Sequence, residues 1–168
     1  MNAKRKWVFR ASLFLNLVLA VVLVWSIVNL DISKKKPIYA DIQYKLVELE
    51  GLIAFEEENN WSTPHLVTNK LSNIVDLLYL GIDANRKWLW TSAEDVTVLE
   101  KLYSKLSQYP VDELYKHAVL EAEDKEHYVE LRAMLREAGI GMRISHGYDW
   151  GLFIQKVKKL YESIPSPL

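Results

Sequence analysis

The hydrophobic pattern of this chain changes once, near residue 30. Residues 11 to 30 read "ASLFLNLVLAVVLVWSIVNL", twenty positions without a charge, thirteen of them Leu, Ile, Val or Phe. A helix of that length spans roughly 30 Å, the thickness of bilayer hydrocarbon. The run is apolar on every face, a pattern that is rare for a core helix in a domain of this size. It predicts a transmembrane helix over 11–30, in contact with the lipid bilayer. Each central aliphatic favours insertion by about 0.3–0.6 kcal/mol, a gain that Asn16 and Asn29 reduce without cancelling. Trp7 and Trp25 fall near the two ends, where indoles favour the interface.

Beyond "DISKKKP", a short linker over 31–37, the apolar positions recur at three- and four-residue steps. Pro37 suits the first turn of a new helix better than the interior of one arriving from the membrane. The first helix is predicted over 38–58, with Tyr39, Ile42, Leu46, Leu49 and Ile53 as its stripe and Glu56, Glu57 and Glu58 at its end. Ser62 or Thr63 caps the second, Pro64 lies in its first turn, and Gly81 lies past its end. The third opens at "TSAED", where Thr91 with Glu94 or Ser92 with Asp95 fits a capping box. Val96, Leu99, Tyr103 and Leu106 turn inward before a stop at Tyr109-Pro110.

A short helix over 111–120 follows, separate from or merged with the next over 121–138. That helix buries Tyr128, Leu131 and Leu135 and stops at Gly139. "GIGMRISHG" is a glycine-rich loop, and the last helix, 149–163, starts at Asp149. The expected fold is all-α, an N-terminal transmembrane helix followed by a small bundle of five to six helices over 38–168.

The long run and its flanks bear on whether the anchor is kept. Signal peptides have apolar regions of about 7–15 residues with a small-residue site close behind. Here the nearest such site, Ile38-Tyr39-Ala40, lies ten residues beyond Leu30, with Lys34, Lys35 and Lys36 between. A retained anchor is expected over cleavage at Ala40. Lys4, Arg5, Lys6 and Arg10 on the N-terminal side outnumber those three lysines, so residues 1–10 are expected in the cytoplasm and the domain outside.

Composition narrows the function classes. The chain has no cysteine, which removes disulfides, thiolate metal sites, a cysteine nucleophile and a lipoprotein acylation site. The net charge of −1 hides a strong asymmetry. Residues 1–36 carry seven Lys/Arg and one Asp, a net +6; residues 41–131 carry eight basic and eighteen acidic side chains, a net −10; residues 132–168 are net +3. The acidic block argues against nucleic acid, whose affinity rests on neutralised phosphates. It also argues against the domain lying flat on an anionic membrane.

Four stretches carry candidate chemistry. On a helix, His117, Glu121 and Asp124 of "HAVLEAEDKEH" would share a face, and Asp124 with His127 has the acid-x-x-His step of carboxylate-bridged metal bundles. Such sites need two copies of that step, and one is present, so a solvated acidic face is the simpler expectation and no metal or other cofactor is expected. His146 stands in the glycine-rich loop, but its neighbour Asp149 suits a helix cap rather than an orienting acid. His65 reads as a surface residue in a first helical turn. "NRKWLW" (85–90) is the most suggestive binding stretch. Arg86, Lys87, Trp88 and Trp90, in a loop before a helix, have the composition of a partner or ligand contact, against the simpler reading that both tryptophans cover the end of the bundle.

The expected function is a non-enzymatic interaction or regulatory module of the cell envelope with a protein partner there. The alternative is a membrane-tethered enzyme or metal-binding protein using the 117–127 cluster or His146. The stripe of the first helix covers about two heptads, fewer than a coiled coil needs, so self-association through it is expected to be weak.

Overall fold

The structure is a computed structural model that describes residues 3–88, 91–113, 116–142 and 149–168, with the side chains of 3–6, 8, 27–39 and 86–88 excepted. The described residues form five α-helices and no strand: α1 (Ala3–Glu58), α2 (His65–Trp88), α3 (Ala93–Leu106), α4 (Ala122–Glu137) and α5 (Trp150–Ser163). The chain divides into two units, residues 1–37 and 38–168. The all-α expectation holds. The second unit is a bundle of five helical elements, the later part of α1 and α2 to α5.

In the first unit, Phe9–Ser26 is long and apolar enough to cross a membrane, and every side chain described in it is exposed. The expected break before Pro37 is absent, because α1 stays helical through residues 31–37. Proline removes one amide donor from a helix interior, a cost of about 3 kcal/mol. Good helix formers on both sides, including Lys34 to Lys36, offset part of it.

In the second unit the stripe of α1 is the centre of the core. Ile42, Leu46, Leu49 and Ile53 are fully buried, as are Leu71, Ile74 and Leu78 of α2. Helix α3 packs on α2 and α5, and α4 packs on α5. Ser92 caps α3 by accepting from the Asp95 amide at 3.1 Å, and Asp149 caps α5 by accepting from the Leu152 amide at 2.7 Å. Gly139, at φ +80°, ends α4 in the left-handed conformation that suits glycine.

Two further expectations fail. Helix α2 does not stop at Gly81 but continues to Trp88. The buried series Leu71, Ile74, Leu78, Ile82 and Asn85 carries the same face past the glycine, and that burial outweighs a glycine cost of about 1 kcal/mol. Nor do the described residues of 111–120 form a helix. They hold one antiparallel bridge, between Glu113 and Lys116. Side chains of α2 hold that segment, as set out below.

Candidate functional site

Three carboxylates of the bundle are buried, and each braces a turn or loop. Glu56, at the end of α1, accepts from the Thr63 amide at 2.8 Å and from the Thr63 hydroxyl. Its carbonyl accepts from the Trp61 amide at 2.7 Å. These bonds hold the α1–α2 turn, where Asn60 and Trp61 both take left-handed backbone, φ 54° and 55°. Glu56 is therefore a buried brace within the acidic run that ends α1.

Glu50, six residues earlier, joins α1 to α4. Its side chain is 3% exposed and accepts from Arg132 Nε at 3.3 Å, Arg136 at 3.1 Å and the Met142 amide at 3.0 Å. Burial alone pushes its carboxyl up, but the Met142 amide and the two guanidiniums outweigh that and hold it below its ordinary value. Arg132 also pairs with Glu57 at 2.7 Å.

Asp112 organises the segment after α3. Its Oδ1 accepts from the Thr68 hydroxyl of α2 at 2.6 Å and from the Ala118 amide at 3.0 Å. Its Oδ2 lies 2.9 Å from His117 Nδ1, and its carbonyl accepts from Ser72 Oγ at 3.2 Å. The Ala118 amide is thus spent on the Asp112 side chain and the Asp112 carbonyl on Ser72, two backbone groups that a helix over 111–120 would pair within itself. Burial pushes the Asp112 carboxyl up, while the Thr68, His117 and Ala118 bonds together hold it down. His117 is exposed, and its ring lies 5.4 Å from the ring of His65, the first residue of α2.

The residues singled out in the sequence are dispersed by this geometry. His117 lies before α4, not on it, so it shares no helical face with Glu121 and Asp124. Asp124 accepts from the Glu121 amide at 2.9 Å and so caps its own helix, while His127 is half-buried further along α4. Among the described residues, no three His, Asp or Glu side chains gather as a metal site. Arg86, Lys87 and Trp88 lie in α2 rather than in a loop, with side chains outside the described residues; Trp90 and His146 lie outside them altogether. Asn85, beside them, is buried and accepts from the Thr91 amide at 2.6 Å, fastening the end of α2 to the start of α3.

Sequence reasoning missed Asp112 and the approach of His65 to His117. No local period links residues fifty-two positions apart, and the single sequence signal was a polar residue two places after Pro110.

No protein family, curated protein or solved structure matches this chain.

Proposed function

We propose that the protein is a single-pass, membrane-anchored, non-enzymatic interaction module of the cell envelope. In this reading α1 crosses the membrane, residues 1–10 stay in the cytoplasm and the helical bundle stands outside. The observation that carries it is that one helix supplies both parts. Phe9–Ser26 of α1 exposes its large apolar side chains throughout, a surface that suits lipid. Ile42, Leu46, Leu49 and Ile53 of the same helix are the buried centre of the bundle.

Two features favour contact over catalysis. The three buried carboxylates described above are engaged with backbone amides, hydroxyls and arginines that hold turns and loops in place. Large apolar and aromatic side chains meanwhile stand on the bundle surface. Tyr44 and Phe55 are exposed on α1, eleven residues or about three turns apart and so on one line, and Tyr79 is exposed on α2 against Tyr103. Such side chains are the usual anchors of protein contacts.

Cross-linking in intact membranes tests this reading. The full chain should give one discrete protein adduct, lost in Phe55→Ala or Tyr79→Ala variants whose thermal melts match the parent. An adduct pattern indifferent to every such surface change, or no adduct at all, would count against it.

A further inference from the structure

His65 and His117 come from different parts of the chain and meet on the surface with ring centroids 5.4 Å apart. Three facts make the pair more than a chance stacking of rings. First, the spacing fits a shared ion. With metal–nitrogen distances near 2.0–2.1 Å and a tetrahedral angle, two ligating imidazoles place their centroids about 5 Å apart. Second, His117 is oriented from behind. Its Nδ1 lies 2.9 Å from Asp112 Oδ2, which fixes the proton on Nδ1 and leaves Nε2 with the free lone pair. A carboxylate behind a histidine is the usual outer partner of a metal-bound imidazole. Third, the support is built into the core. The Asp112 side chain is 6% exposed, and its other oxygen is held by Thr68, three residues along α2 from His65. The same carboxylate therefore sets the ring of His117 and ties its loop to the helix that carries His65.

We propose that His65 and His117 bind one divalent transition-metal ion of the kind that takes imidazole nitrogen, Zn²⁺, Ni²⁺ or Cu²⁺. The chain supplies two nitrogens and Asp112 supplies their orientation. Both rings are exposed, so the remaining coordination positions face water and stay exchangeable. The proposal is independent of the membrane reading, since every residue it uses lies in the helical bundle.

The test is calorimetric titration of Zn²⁺ into the full chain in detergent, purified without a histidine tag and stripped by a chelator. One equivalent should bind. His65→Gln and His117→Gln should each weaken binding at least tenfold, and His65→Gln, at an exposed position, should leave the melt unchanged. Asp112→Asn is the sharper variant. It keeps an oxygen for Thr68 and Ala118 but turns a donor toward His117, moving the ring proton to Nε2. Affinity should fall roughly 10–100-fold, the usual loss for an outer-shell partner. No binding to the parent chain, or undiminished binding in the His65→Gln/His117→Gln double variant, would overturn the site. Undiminished binding in a folded Asp112→Asn variant would overturn the orienting role of the carboxylate.

Discussion

The carboxylate of Glu50 on α1 lies 3.3 Å from Nε of Arg132 on α4, across 82 positions of sequence. The pair fastens the central helix of the bundle to its fourth, and the Met142 amide closes the third side of the same carboxylate. Removing one partner of a buried ion pair costs more than the pair contributes, because the remaining charge is left unpaired. Here Arg132 is 29% exposed and keeps Glu57 as a partner, so part of that cost is relieved. Glu50→Gln should lower unfolding free energy by about 2–4 kcal/mol in urea titration. A loss below about 0.5 kcal/mol would mean that the carboxylate is solvated in solution.

The acid limb of stability should report Glu50 and Asp112 together. Both carboxyls are held below their ordinary values of 4.5 and 3.8 in the folded protein. A depressed carboxyl contributes stability that is complete above its unfolded value and lost as pH falls through its folded one. The melting temperature should therefore hold from neutral pH to about 5 and decline below about 4.5. The Glu50→Gln/Asp112→Asn double variant should show a shallower decline. A parent chain that gains stability on acidification below pH 4.5 would reverse the sign of this account.

Two neighbouring tyrosines should behave oppositely. Tyr109 and Tyr128 pack with ring centroids 5.4 Å apart, and burial pushes both phenols far up. The Tyr128 hydroxyl donates to the Pro110 carbonyl, whereas the buried Tyr109 hydroxyl has no hydrogen-bond partner among the described residues. A buried polar atom without a partner costs about 1–3 kcal/mol. Tyr109→Phe should raise stability by about 1 kcal/mol and Tyr128→Phe should lower it by a similar amount, as read by denaturant unfolding. Equal effects of one sign would show that the two hydroxyls share an environment.

Local signals in the sequence reached the helices that local chemistry decides. Ser92 with Asp95, Asp149 and Gly139 were readable as caps and a stop because each acts within three or four residues. The 3.6-residue period reached Leu46, Leu49 and Ile53 for the same reason. It failed at Gly81, where burial carries α2 onward, and at 111–120, where Ser72 and the Asp112 carboxylate take backbone groups that a local helix would use. Glu50 and Glu56 were unreadable as braces. Their partners, Arg132, Arg136, Met142 and Thr63, stand off the repeat of their own helix. Of the candidate site, only the presence of histidine was legible; its pairing is tertiary.

The central claim is a retained anchor with the bundle on the far side of the membrane, and cysteine labelling tests it most directly. The chain has no cysteine, so one introduced residue gives the whole signal. Val119 is 78% exposed on the bundle, and Ala3 lies on the other side of the apolar span. In intact cells, a membrane-impermeant maleimide should label Val119→Cys directly and Ala3→Cys only after permeabilisation, with both proteins full-length in the membrane fraction. Labelling in the opposite order would reverse the topology. A soluble product of the Val119→Cys chain that begins at Asp41 would show that the apolar helix is a cleaved leader and not an anchor.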